Sequence, residues 1–527
     1  MRYLYSLLLL CSIVLWSSCR NDFETEPSTG NLQFSRDTVY LDTVFSNIGS
    51  STYNLKVYNR SDEDITIPTI QLSGGESSNY RLNVDGLPGK SFENIDILAK
   101  DSIFVFIEST ANIEEFSNEN QFLLTDAIEF DTGANQQKVE LVTLIQDAVF
   151  LYPEKFDDGT TETLSFGFDE EGNEILIEGF YLDDSELTFT NEKPYVIYGY
   201  AAVPGNRILN IEAGARVHFH DASGIIVAQE GSLHVNGMLS NDQETLENEV
   251  IFESDRLEPG FSEIPGQWGA IWLTAGSTNN IINYATIKNA TVGILMDSND
   301  GTTNPTLTIN NSKIYNSSNV GLLARTGNIL GNNVVINKAG QSSLNLSLGG
   351  TYNFNNCTFA NYWTSSFRNF PSVLVENYLE TPDEIFVSDL VEANFNNCII
   401  YGNENRELIF NERNEAAFNY KFENCLIRFS NFGYNNTDDY DFDDESLFPG
   451  TIINEDPNFL DPQENLLMID EESAANSLAN PSTATDEDIL GTPRSSSPDS
   501  FKIQIPELKK ILSNFKIAQV SKDNYEA

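Results

Sequence analysis

Five asparagines recur at one position of a repeated hexapeptide in the second half of this chain. Aligning Ile309-Asn-Asn-Ser-Lys-Ile314 with the segments starting at Gly331, Phe354, Phe395 and Phe422 puts Asn311, Asn333, Asn356, Asn397 and Asn424 in register. The steps between them are 22, 23, 41 and 27 residues. One solenoid coil, three short strands and their corners, needs about 22 to 25 residues, so the 41-residue step reads as a coil carrying an insertion at 361–392. Asparagine suits such a corner. It tolerates left-handed backbone, and its amide can bond the amide of the next coil, making a structural ladder. Ile314, Ile336, Phe359, Ile400 and Ile427 fall three places later and are expected to stack inside the tube. Earlier segments such as Ile208–Ile211, Val217–Phe219, Ile225–Val227 and Val250–Phe252 are short strands with Gly-bearing corners and no hairpin signals, which extends the solenoid back to about residue 201.

The expected fold class is therefore all-β, in several parts. Residues 31–148 alternate apolar and polar in runs such as Thr38–Phe45, Tyr53–Tyr58 and Asp101–Ile107, the pattern of an immunoglobulin-like β-sandwich, without the Cys pair or Trp of an antibody domain. Residues 149–200 read as connector or cap strands, 201–500 as the solenoid, and 501–527 as a C-terminal helix and tail. In that tail Leu508, Ile511, Leu512 and Phe515 share one helical face behind Pro506.

The N-terminus has an export pattern. Arg2 precedes an apolar stretch, Leu4 to Trp16, too short to span a bilayer comfortably. Leu15-Trp-Ser-Ser-Cys19 resembles the lipobox of bacterial lipoproteins, which implies a signal peptide over 1–18, lipidation of Cys19 and a polar tether over 19–30. Trp16, where such motifs usually carry Leu, is a departure. The acidic residues behind the cysteine resemble the surface-export signal of Bacteroidota lipoproteins. Several acyl chains on one cysteine anchor a protein stably, so the expected location is the outer membrane, after export by the general secretory route. Of the five cysteines, Cys357, Cys398 and Cys425 share the context Phe-(Asn/Glu)-Asn-Cys, and an odd, register-equivalent trio reads as buried free thiols.

A formal charge of −50 excludes most nucleic-acid binding, which needs clustered Lys and Arg against phosphates. It leaves open divalent cations shared among carboxylates, and Asp439, Asp441 and Asp443, in an alternating acidic run, are the Ca²⁺ candidates.

Asn210-Ile-Glu-Ala-Gly-Ala-Arg-Val-His-Phe-His220, Gly231-Ser-Leu-His-Val-Asn-Gly237, Gly266-Gln-Trp-Gly-Ala-Ile271, Ser473-Ala-Ala475 and Asp488-Ile-Leu-Gly-Thr-Pro-Arg494 carry a resemblance. The chain resembles the right-handed parallel β-helix proteins of the pectate-lyase-like superfamily, and more narrowly an envelope lipoprotein group of the Bacteroidota. The resemblance covers about 193–500. It implies the fold and leaves the chemistry open, because this fold hosts lyases, hydrolases, adhesins and scaffolds. The Gly-His-Gly and Arg-Ile-Lys motifs of polygalacturonase-like hydrolases and the Arg-His-Gly segment of alginate and chondroitin lyases are absent. A Ca²⁺-assisted lyase needs only carboxylates and a base, for which Lys288 and Arg325 are the catalytic candidates, with Asp297 and Asp300 close in sequence. Binding candidates are His218 and His220, which alternate on one outward face of a strand and either meet a sugar or metal or bond the neighbouring coil. Trp268, Trp272, Tyr362 and Trp363 are aromatics that either stack on a sugar or seal the core. The expected function is non-catalytic binding of a polysaccharide or another envelope component by a surface-exposed or outer-membrane lipoprotein. The alternatives are a polysaccharide lyase or glycosidase acting on acidic polysaccharide, and a structural envelope protein.

Overall fold

The computed structural model describes residues 25–116, 119–168, 172–431 and 440–494. Cys19, Asp439 and the expected helix within 501–527 lie outside them. The chain divides into two compact units, Met1–Asp147 and Ala148–Ala527.

The first unit is a β-sandwich. One sheet runs Glu26–Pro27, Ile65–Leu72, Gln121–Phe130, Gln137–Gln146, Thr38–Phe45, with Ser91–Ile97 on the other edge of Ile65–Leu72. The other runs Gln33–Phe34, Tyr53–Tyr58, Ser102–Ser109, Tyr80–Val84, Leu87–Gly89. Period-two alternation decides which side chains enter the core: in Tyr53–Tyr58, Leu55 and Val57 are buried while Asn54 and Lys56 face out. Tyr80 ties the sheets together. Its hydroxyl donates to the Leu124 carbonyl and also bonds the Thr143 hydroxyl, each at 3.0 Å, and burial pushes the phenol up to about 12.

The second unit is a parallel β-helix of three strand columns. The first column contains, in order, Val149–Leu151, Tyr195–Ile197, Arg216–Phe219, Val250–Ser254, Ala285–Lys288, Lys313–Ser317, Val335–Ala339, Thr358–Asn361, Ile399–Gly402, Leu426–Ile427 and Ile452–Ile453. The other two columns merge into one large parallel sheet because several strands, such as Val320–Asn332 and Leu344–Asn355, bend through the corner between them. Register is fixed by what points inward: Val217, Phe252, Ile287, Ile314, Ile336, Phe359, Ile400 and Ile427 pair in succession and are fully buried. The five residues expected to stack inside are all in this row. The 41-residue step is a single coil with additions at two corners, 362–372 before Val373–Glu376 and the hairpin Tyr378–Glu380/Ile385–Val387 before Leu390–Asn396.

The asparagine register is correct for the backbone and off by one residue for the amides. Asn311, Asn333, Asn356, Asn397 and Asn424 all adopt left-handed backbone, with φ between 47° and 57°. The continuous amide ladder belongs to the residue before. Asn310 donates to Asn283, Asn332 to Asn310, Asn355 to Asn332 and Asn396 to Asn355, each at 2.9 Å. Within the left-handed set only Asn333 and Asn311 join, at 2.8 Å. Asn333 and the other three serve a strap, residues 478–494, that runs back along the corner. Asn424 donates to the Leu478 carbonyl at 2.8 Å, Asn397 accepts from the Asn480 amide at 2.7 Å and Asn356 from the Thr485 amide at 2.9 Å. The residues leading into the strap, with Ile489 of the strap itself, cover the outer face of the later coils, where Leu467, Ile469, Ala475 and Ile489 pack on Val335, Ala360, Ile399, Tyr401 and Leu426.

Cys357, Cys398 and Cys425 are free, buried and stacked in the core, their Sγ atoms 3.3–3.6 Å from backbone carbonyls. Burial raises the Cys398 thiol well above its ordinary range. Since the thiolate is the reactive form, the chain from Arg20 onward should leave Ellman's reagent unreacted when folded and show three thiols in urea. Labelling of any of them in the folded chain would contradict this packing.

Candidate functional site

The strap and the corner border an open groove of ≈ 660 Å³ between the amide ladder and residues 483–488. Asn283, Asn310 and Asn332 form its floor and Thr485, Asp486, Glu487 and Asp488 its wall, with Tyr284 at one end. Tyr284 occupies the corner position that asparagine holds in the later coils, because Asn283 pairs with Asn310. Its φ is 45°. A bulky residue in that region stores on the order of 1–3 kcal/mol of strain. Burial raises its phenol, with the carboxylates of Glu487, Glu249 and Asp488 adding to the shift.

Asp488 is 2% exposed. Its Oδ1 accepts from the Leu490 and Thr492 amides at 2.9 and 2.8 Å, closing the turn, while its Oδ2 has no hydrogen-bond partner among the described residues. Desolvation pushes this carboxyl up, against the turn amides, the charge of Arg494 and the Thr492 hydroxyl. The Arg494 guanidinium bonds Thr485 Oγ1 at 3.1 Å and Asn333 Oδ1 at 2.9 Å. Chemically the groove offers amide donors and acceptors, hydroxyls and carboxylates, and no nucleophile paired with a base.

The structure separates the two catalytic candidates. Lys288, in the first column, lies 2.7 Å from Glu253, whose carboxylate also faces His218 at 3.9 Å. Burial pushes Glu253 up, yet His218, Lys288 and Arg216 together hold it below its ordinary value. Arg325, in the second column, lies 2.8 Å from Asp297, which also accepts from Trp272 Nε1 at 2.7 Å. The two cations are therefore on different faces of the tube, each matched to its own carboxylate, and do not form a catalytic pair. Asp300 is held by Thr278 and by the amide of Thr302.

The histidines bond the neighbouring coil. His218 is buried, its Nδ1 3.0 Å from the Ser254 carbonyl. His220 is partly open, 2.7 Å from Asp255 and stacked on Tyr198. The Asp255 hydrogen bond raises the His220 pKa above its ordinary value against a smaller desolvation effect. A raised histidine pKa stabilises the fold fully below the unfolded-state value and loses that contribution as pH rises through the folded one. NMR titration of Asp255→Asn should return His220 toward its ordinary value, and an unchanged titration would contradict the pairing.

Three of the aromatic candidates are packing residues. Trp268 is 1% exposed, stacks on Phe219 at 4.3 Å and donates to the Lys288 carbonyl, so it is not a sugar platform. Trp363 is buried, with its Nε1 on Ser366, and Tyr362 meets Phe459 edge-on. Trp272 faces outward, but Phe166 covers its ring at 4.7 Å. Of the acidic run, Asp441 accepts from the Asp443 amide in its own turn, and among the described residues no three His, Cys, Asp or Glu side chains converge as a metal site would require. Sequence reasoning missed the groove. Tyr284 was within reach, since Ile281-Ile-Asn-Tyr-Ala-Thr-Ile287 continues the hexapeptide register. Asp488 had no periodic signal.

Fold and groove together define an all-β chain, a β-sandwich unit and a parallel β-helix unit with a strapped corner. No protein-family model and no curated protein matches it. Among solved structures, it is similar to the catalytic unit of a thermostable GH87 alpha-1,3-glucanase from Streptomyces thermodiastaticus at 10% identity and TM-score 0.23, covering 71% of this chain and 78% of that one. It is also similar to a PapD-like domain of human CEP192 at 11% identity and TM-score 0.16, covering 25% and 94%. For the E. coli chaperone DraB the values are 14% and 0.16, covering 24% and 58%. Likeness at these scores carries no argument about what the chain does.

Proposed function

We propose that this chain is an outer-membrane lipoprotein, anchored through Cys19, whose β-helix binds a glycan or another envelope component without turning it over. The observation that supports binding is the groove between the amide ladder and the strap, of a volume usual for ligand sites and floored by paired donors and acceptors. Lys288 and Arg325 count against a lyase, since they lie in different strand columns and each is paired with its own carboxylate. The chain from Arg20 onward, applied to a glycan array and separately to uronate polysaccharides with Ca²⁺, should bind a glycan and yield no unsaturated product. Turnover abolished by Lys288→Ala or Arg325→Ala would overturn the non-catalytic reading. Palmitate labelling that survives Cys19→Ser would overturn the anchor.

A further inference from the structure

We propose that the groove is specific for a glycan bearing free amines, with hydroxyls on the ladder amides and one primary ammonium on Asp488. The inference rests on the glycan-binding reading and names the ligand class for it.

The floor fits hydroxyls. Each ladder amide has two N–H groups and two oxygen lone pairs. In Asn310 one N–H goes to Asn283 and one lone pair receives Asn332. The ladder thus uses half of that amide's capacity. The remaining donor and acceptor suit adjacent hydroxyls, and strands of a sheet repeat about every 4.8 Å along the groove.

The wall fits a cation. Asp486, Glu487 and Asp488 line it, and Arg494, whose charge acts on Asp488, bonds Thr485 and Asn333. An orphaned buried carboxylate oxygen is destabilising until a donor reaches it, and a charged donor makes the strongest such bond. A uronate or sulfated chain would bring like charge to this wall within a chain already at −50. A divalent cation would need further ligands, and no such grouping occurs among the described residues. A primary ammonium has three N–H donors, one for the free Asp488 oxygen and the others for the carboxylates and amides that line the groove.

Isothermal titration of the full chain in detergent with oligomers of β-linked glucosamine, their N-acetylated counterparts and uronate oligomers, at a series of pH values from mildly acidic to neutral, tests this. The free-amine oligomer should bind about tenfold more tightly than the acetylated one, and the uronate oligomer should not bind. Asp488→Asn keeps Oδ1 for the Leu490 and Thr492 amides and replaces only the unpartnered oxygen, so it should abolish the tenfold preference. Glu487→Gln, on the exposed side of the wall, should reduce the preference without touching the turn. Equal binding of both oligomers, or a preference unchanged in Asp488→Asn, overturns the inference. Binding of neither, while another glycan on the array is bound, also overturns it and leaves the glycan-binding reading standing. Absence of any glycan ligand removes both.

Discussion

Arg368→Met is expected to destabilise the β-helix by about 3–5 kcal/mol, the loss typical when one partner of a buried ion pair is removed. Arg368 and Glu407 are 2% and 0% exposed in their side chains. The guanidinium meets the carboxylate on two sides, Nη2 to Oε1 at 2.7 Å and Nη1 to Oε2 at 2.9 Å. Glu407 also accepts from the Ser372 amide and hydroxyl and from the Glu404 amide. Burial pushes its carboxyl up, with Arg368 opposing that. Without the guanidinium, an anion stays buried among neutral donors. The pair joins the first insertion, 362–372, to the coil that follows, so limited proteolysis should cut there first in the variant. The double variant Arg368→Met/Glu407→Leu should recover most of the loss, because a pair replaced by apolar groups leaves no charge behind. Urea unfolding measures both. A single variant within 1 kcal/mol of the parent would mean that the pair is hydrated.

The inward row of the tube was legible in the sequence because a 22- to 27-residue register and a hydrophobic partner every coil are local, periodic signals. Left-handed backbone at the five asparagines was legible for the same reason. The direction of their amides was not, since four of them answer to a strap 54 to 161 residues further along the chain, where no periodicity reaches. The two tryptophans show a second limit. Trp268 and Trp272 are four apart and should share a face in regular pleating, but the register slips between Ala270 and Ile271. The alternation reverses there, Ala270 and Ile271 both being buried, so Trp268 turns into the core and Trp272 out of it. Lys288 and Arg325 show a third. Both pair with carboxylates at partly exposed positions, and only the assignment of strands to columns reveals that they lie on different faces.

Phe395→Ala is expected to remove a further 3–5 kcal/mol, roughly, the usual range for a truncated core aromatic. Its ring is fully buried in the third column, 4.5 Å from Phe422 and nearly parallel to it, 5.4 Å from Phe354 and edge-on to Phe359 at 5.9 Å. Strand pairing fixes Phe354, Phe395 and Phe422 in one row, so the void would lie between two coils that cannot slide to fill it without losing register with the Asn355–Asn396 amide bond. In a solenoid each coil touches only its neighbours, so stability is close to a sum of coil and interface contributions. Hydrogen exchange in the variant should therefore lose protection at 350–361, 390–400 and 418–427 while the coils over 200–290 keep theirs. Phe367→Ala, at a ring 85% exposed, is the control and should stay within about 0.5 kcal/mol. Uniform loss of protection from end to end in Phe395→Ala would show instead that the tube unfolds as one unit. In that case the strap, which bonds corners of several coils at once, is the element that couples them.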